Sequence, residues 1–215
     1  MKVIAIDGPS GSGKGTIAKE VARILGYTYI DTGAMYRCVS LKSLRENLDE
    51  KDEKYIVDLL INMDIKLTND GKVFLDGEDV TDEIRTKEVT QRVSKISSII
   101  KLREIMRRKQ KFIANKNNIV MEGRDITTEV FPDADVKIYL DASVEERARR
   151  RQLQNEEKGI KSTYEEVKKA IEERDYDDTH RPVGSLTRTD QQVYIDSSNM
   201  KVEEVINKIL NIVGE

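Results

Sequence analysis

One stretch limits what this chain can fold into more than any other: Lys2 to Leu25, KVIAIDGPSGSGKGTIAKEVARIL. Val3, Ile4, Ala5 and Ile6 form a short apolar run, long enough for one buried strand. Gly8, Gly11, Gly13 and Gly15 follow, with Lys14 between the last two. Ile17, Val21 and Ile24 then recur at helical spacing, with Ala18 and Ala22 beside them. Strand, glycine-rich loop and helix in this order make a phosphate-binding loop. Glycines let successive N–H groups turn toward one anion. The helix adds unpaired N–H groups and the positive end of its dipole. Lys14 places a point charge on the β- and γ-phosphates. The candidate triphosphate contacts are Gly8, Pro9, Ser10, Gly11, Ser12, Gly13, Lys14, Gly15 and Thr16. A Gly/Ser linker with a stray lysine would lack the flanking strand and helix.

The usual signature ends GK followed by Ser or Thr. Here Gly15 follows Lys14, and Thr16 comes one place later. This GKGT ending resembles the nucleoside monophosphate kinases, the family that includes adenylate kinase. It leaves Thr16 as the candidate hydroxyl for a Mg²⁺ that arrives with ATP, directly or through water.

The 215 residues suffice for one sizeable core, or a core with a small insert. The 37 basic against 40 acidic residues leave a net charge of −3, which argues against a general nucleic-acid binder. One cysteine, Cys38, excludes an internal disulfide and fits a reducing cytosol. No leader segment and no membrane span are expected, so a cytoplasmic monomer is the expectation.

Further along, Tyr27 to Ile30 reads as a second strand, closed by Asp31-Thr32-Gly33-Ala34-Met35-Tyr36-Arg37 as a polar loop. Asp64 to Val80 alternates apolar and polar residues, broken by Asn69-Asp70-Gly71 and Asp76-Gly77, as hairpins do. These strands carry few apolar residues, so a low-stability insert is expected. Thr86 to Lys116 reads as mostly helical, with Leu102, Ile105, Met106, Phe112 and Ile113 facing inward and most of its basic residues solvated. Ile119 to Met121 reads as a third core strand, ending in Glu122-Gly123-Arg124-Asp125. Phe131-Pro132-Asp133-Ala134 precedes a strand over 136–140. Ser143-Val144-Glu145-Glu146 reads as a capping box opening a helix with Arg147, Arg149, Arg150 and Arg151. Lys158-Gly159 should end that helix, and Thr163 with Glu166 should open the next, which reaches Glu173-Arg174-Asp175-Tyr176-Asp177-Asp178-Thr179-His180-Arg181. A last strand is expected at 193–195 and a closing helix at 202–213.

DTGAMYR, the hairpin insert, EGRD, FPDA and ERDYDDTHR together, in this order, resemble the bacterial cytidylate kinases over nearly the whole chain. Glu122 departs from that pattern, standing where the family has Asp. The resemblance implies an α/β P-loop kinase fold: a five-stranded parallel sheet flanked by helices, with a small antiparallel β insert in the acceptor-nucleotide region and a helical LID. It divides the chain into a core (1–60, 96–146 and 180–215), an acceptor-binding insert (61–95) and a LID region (147–179). It implies ATP-dependent phosphorylation of CMP and dCMP with Mg²⁺. Thr32, Arg37, Ser94, Arg103, Arg124, Asp125, Arg174, Asp178 and Arg181 would bind CMP. Ser94, Arg103 and Asp125 would face the base, Arg174 and Asp178 the ribose, and Arg37, Arg124 and Arg181 the phosphate. Lys14, Arg37, Arg124, Arg181 and the LID residue Arg151 would carry the transfer. Other readings are a sister kinase for UMP, AMP or a small metabolite, a nucleotide sensor without turnover, and an RNA binder using the basic 101–111 helix. The insert and the Ser94/Arg103/Asp125 set argue against the first, and the many acceptor-side arginines against the second. The basic helix lacks stacking aromatics beyond Phe112, which argues against the third.

Overall fold

The computed structural model describes residues 1–114, 117–157 and 159–214. Five strands form the main sheet: β1 (Val3–Asp7), β2 (Thr28–Asp31), β6 (Ile119–Gly123), β7 (Val136–Asp141) and β8 (Val193–Asp196). Their order is β2-β6-β1-β7-β8, and every pairing is parallel. Successive residues of β1 are buried on opposite faces, which is why its run is apolar without alternation. Ile4 and Ile6 pack with α1 (Lys14–Leu25) and α8 (Val202–Val213). Val3 and Ala5 face Ala114, Ile126 and Val130 on the other side. Burying a side chain such as Ile17 or Val21 of α1 is worth about 2 kcal/mol.

From β1 the chain passes over β6 to reach β2, and from β6 it passes over β1 to reach β7. Connections therefore leave β1 and its neighbour in opposite directions. The carboxyl end of β1 is a topological switch point, where open α/β sheets bind ligands. The glycine loop occupies that end.

The middle of the chain is helical: α2 (Thr32–Arg45), α3 (Glu53–Asn62), α4 (Lys87–Ser98) and α5 (Ile100–Ala114). Between α3 and α4 lies a three-stranded antiparallel sheet: β3 (Ile65–Leu67), β4 (Val73–Leu75) and β5 (Glu78–Asp79), as the hairpin signals predict. It is not the thinly packed unit expected. Val73, Leu75, Val80 and Ile84 are buried in one cluster with α2, α3, α4 and α5. The alternation was legible, but the depth of the groove between helices was not.

Three other expectations shift. DTGAMYR is not a loop: Asp31 Oδ1 accepts the Ala34 N–H at 2.9 Å and starts α2 at Thr32. Phe112 does not face inward but is 81% exposed. Ser143 Oγ accepts the Glu146 N–H, but Glu146 does not return the bond. Its carboxylate pairs with Arg149 and Arg150, and the Ser143 N–H goes to Ser198. The predicted helix end at Asn115-Lys116 and the stop at Lys158 lie outside the described residues.

The last pair, α6 (Val144–Glu157) and α7 (Tyr164–His180), packs around Ala148, Val167 and Ile171, with Val144 and Tyr164 against them, and is bridged by Arg147–Asp175 and Lys168–Glu145. Thr163 and Glu166 cap α7 reciprocally, as predicted.

Candidate active site

The glycine loop turns close beneath β7. A Cβ on Gly8 would lie 2.0 Å from the Leu140 carbonyl oxygen, so no side chain fits there. Lys14, at the junction of the loop and α1, is buried. Its Nζ donates back across the loop to Pro9 O at 2.7 Å and to Ser12 Oγ at 3.4 Å. Burial pushes its ammonium well below the usual lysine range, and the Arg124 charge adds to this. Glu122 at the end of β6 is buried and pushed up, first by burial and then by Asp31.

The loop borders a cleft of about 960 Å³. Ser10, Gly11, Ser12, Gly13, Gly15 and Thr16 line one side. Arg37 from α2, Arg124 after β6, Arg151 from α6 and Arg174 from α7 line the others. Four elements thus aim guanidinium groups at one space. Burial holds Arg37 down at about 10 and Arg174 at about 9, and each is lowered further by neighbouring arginines. Cations crowded and desolvated in this way favour a polyanion between them.

A smaller polar pocket adjoins this cleft, with Arg124, Arg174 and Gly33 in the walls of both. Thr32, Tyr36, Ser94, Arg103, Asp125, Asp178 and Arg181 line it as well, together with Val93, Ser97 and Gly123. Arg103 and Asp125 form a buried ion pair at 2.7 Å. The Arg103 guanidinium lies over the Tyr36 ring, 5.2 Å from its centroid. Gly184, at φ +65, closes the other side, and a Cβ there would lie 2.3 Å from Arg103 Nη2. Asp178 pairs with Arg124 Nε at 2.7 Å, with Arg181, and with Arg174 at 4.0 Å. Thr32 Oγ1 donates to Glu122 O, which ties α2 to β6 beside the pocket.

A family model described as cytidylate kinase matches residues 4–215. The chain belongs to the cytidylate kinase family. A cytidylate kinase of Caldanaerobacter subterraneus subsp. tengcongensis is 50% identical over 206 residues, 96% of this chain and 92% of the relative. One from Bacillus cereus is 46% identical over 214 residues, 98% of this chain and 95% of the relative. Among solved structures, a shikimate kinase from Bacteroides thetaiotaomicron superposes at TM-score 0.52 with 14% identity, covering 100% of this chain and 99% of that chain. That similarity bears on the fold alone.

In this member of the cytidylate kinase family Gly15 lies against the Glu122 side chain. A Cβ on Gly15 would lie 3.2 Å from Glu122 Oε1 and 3.5 Å from the Tyr29 hydroxyl. A side chain after Lys14 would require the Glu122 carboxylate to shift by a few tenths of an ångström. Sequence reasoning placed Glu122 only as a substitute in EGRD and missed this contact. It also missed Gly184 and Asp7. Asp7 is fully buried and accepts the Ile126 and Thr127 N–H groups, which holds the turn after Asp125 in place.

The four arginines of α6 separate in role. Arg147 is buried, donates to Ser10 O and Ala142 O, and pairs with Asp175, so it braces the glycine loop. Arg149 and Arg150 pair with Glu146, and only Arg151 makes no ion pair among the described residues. His180 stacks on Tyr176 at the surface, 4.0 Å between centroids, as an incidental histidine would. Cys38 is buried and its thiol is pushed up to about 12 by burial, so it is no nucleophile.

Mg²⁺ takes oxygen ligands and keeps several waters, so an ion carried by a nucleotide needs few protein groups. Among the described residues no group of three His, Cys, Asp or Glu could hold a metal alone. Thr16, Asp31 and Glu122 border the same cleft and are all hard oxygen donors. That set fits an ion arriving with its phosphates and waters.

Asp178 yields a stability prediction. Burial alone would raise its carboxyl, but Arg124, Arg174 and Arg181 outweigh this and hold it at about 2. A depressed aspartate stabilises the fold above its unfolded value near 4 and loses that contribution as pH falls toward 2. Asp178→Asn should cost about 3 kcal/mol at pH 7 by leaving buried cations uncompensated. In denaturant titrations the gap to wild type should shrink between pH 4 and pH 2. A gap independent of pH would mean that the ion pairs do not hold Asp178.

Proposed function

We propose that the chain transfers the γ-phosphoryl group of ATP to CMP and dCMP, giving ADP with CDP or dCDP. The observation that carries this is the pair of joined cavities, one cationic beside the glycine loop and one polar around Arg103 and Asp125, with Arg124 and Arg174 in both walls. Family membership supplies the acceptor class.

The donor triphosphate lies along Gly8 to Thr16, with its negative charge restoring the Lys14 ammonium. Mg²⁺ bound with ATP would neutralise β- and γ-oxygen charge, held by Thr16 directly or through water with Asp31 and Glu122 nearby. The acceptor phosphate meets Arg37, Arg124 and Arg181, joined by Arg174, and Arg151 spans the two nucleotides. Thr32 and Ser94 border the acceptor, Arg174 and Asp178 its ribose, and Arg103 and Asp125 its base. A phosphate oxygen is already a nucleophile, so no general base is required. Catalysis is alignment and neutralisation of charge on the transferred group. Residues 147–179 act as the LID. Closure excludes water, the competing acceptor. Residues 61–95 act as the acceptor-binding insert on the core formed by 1–60, 96–146 and 180–215. The enzyme works as a cytoplasmic monomer, with no nucleic acid or membrane partner. No helix among the described residues is long and apolar enough to cross a membrane.

Phosphorus NMR of a mixture of ATP, Mg²⁺ and CMP should show the α and β resonances of CDP growing as the γ resonance of ATP falls. Loss of the γ signal into inorganic phosphate alone would make the protein an ATPase and overturn this reading.

A further inference from the structure

The scheme above leaves Arg85 without a role, yet the insert delivers it to the phosphate cleft. It ends a 3₁₀ turn, Glu83–Arg85. Ile84, the residue before it, is fully buried in the helical core, so the core fixes where the turn sits. The Ile84 carbonyl accepts a hydrogen bond from Arg37 Nη1 at 3.1 Å. Arg37 and Arg85 are therefore tied to the same turn.

Glu78 and Glu83 both pair with Arg45. Among the described residues Arg85 makes no ion pair, and its one hydrogen bond is from Nη1 to Thr81 O at 2.7 Å. Its exposed side chain borders the large cleft together with Lys14, Arg37 and Arg151. Neither Arg37 nor Arg151 makes an ion pair among the described residues. Both are lowered first by burial, and the Arg85 charge adds to each. Asp31 and Glu122 border the same cleft, and Asp31 offsets part of the charge on Arg37, but three guanidinium groups without an ion-pair partner still repel one another and favour an entering anion. Arg85 also borders a second cavity of about 280 Å³ between α1 and the β3–β4 hairpin. The hairpin is docked there through Lys19 to Asp70 O at 2.6 Å.

We propose that Arg85 is a phosphate-contacting residue of the transfer reaction, carried by the insert rather than by the glycine loop or the LID. This rests on the kinase reading for the reaction, but not for the contact itself. Its ligand is a polyphosphate chain, whichever nucleoside it carries. Because Arg85 and the Arg37 anchor share one turn, phosphate binding and insert position become mutually dependent.

The test uses inorganic tripolyphosphate, which has no base, in calorimetry with wild type, Arg85→Met, Arg85→Lys and the exposed α5 control Arg108→Met. Arg85→Met should bind it about 10-fold more weakly and lower kcat with CMP on the order of 10- to 100-fold, while Arg108→Met matches wild type. Arg85→Lys keeps the charge and should recover the affinity more than kcat, because it loses the bidentate fork. The melting temperature without ligand and the CMP-to-UMP ratio should not change, since Arg85 supports neither the core nor the base pocket. Equal tripolyphosphate affinity in wild type and Arg85→Met overturns the proposal, whatever the acceptor. Weaker tripolyphosphate binding by Arg85→Met, together with a wild type that phosphorylates no nucleotide, would uphold the contact and defeat the kinase reading instead.

Discussion

Lys14→Met is expected to lower kcat with CMP by at least ~10³-fold, about 4 kcal/mol of transition-state stabilisation. The transferred phosphoryl spreads negative charge over its oxygens, and Lys14 is the one cation rooted in the glycine loop itself. Arginines from other elements cannot replace it without moving. The variant should fold as well as wild type, within ~1 kcal/mol. The reason is burial rather than exposure. Folding depresses the Lys14 ammonium, so holding it charged at this buried position costs stability. Methionine fills the same space without that cost, although Glu122 loses a nearby cation. Turnover at saturating nucleotide and thermal melting check the two halves separately. A folded variant with near-normal kcat would remove Lys14 from the reaction.

The second large effect concerns base choice. Cytosine offers a donating amine and an accepting ring nitrogen, and uracil presents the opposite at both positions. An ionised aspartate only accepts and an arginine only donates. Asp125 and Arg103, already paired at 2.7 Å, therefore present one acceptor beside one donor. Against uracil each faces its own kind, and an unsatisfied buried polar group costs roughly 1–3 kcal/mol. Wild type should prefer CMP over UMP by about 10²-fold or more in kcat/KM. Asp125→Asn gives this position a donor as well, and the ratio should fall below ~10. The variant will also be less stable, by about 3 kcal/mol, because Arg103 stays buried without its partner. The ratio is insensitive to that loss, since both substrates meet the same folded fraction. If CMP and UMP lose activity by one common factor, the pair is scaffolding.

The sheet was legible because its signals are local. The Val3 to Ile6 run, the helical spacing of Ile17 and Val21, and the turn residues of the insert each act within a few positions. The site was legible as residue types, because the motifs carry them. What stayed hidden depends on contacts across long sequence separations. Gly15 is shaped by Glu122, and Arg103 is covered by Gly184. No spacing rule relates those positions. Arg147 and Arg151 stand four apart on one helix, yet one braces Ser10 O and the other faces the cleft. Helical periodicity groups them, and only the packing of α6 on the loop separates them. Phe112 failed for a related reason: helical spacing suggests a face, but near the end of α5 none of the described residues buries it.

The central claim is that this cleft moves a phosphoryl group to cytidine monophosphates. The most direct test is an ADP-release assay with Mg²⁺-ATP and a panel of CMP, dCMP, UMP, AMP and GMP. The account predicts strong stimulation by CMP and dCMP, UMP lower by about 10²-fold or more in kcat/KM, and the purine nucleotides lower than CMP. Release that no monophosphate stimulates from micromolar to millimolar concentrations, or a preference for AMP or UMP, would contradict it.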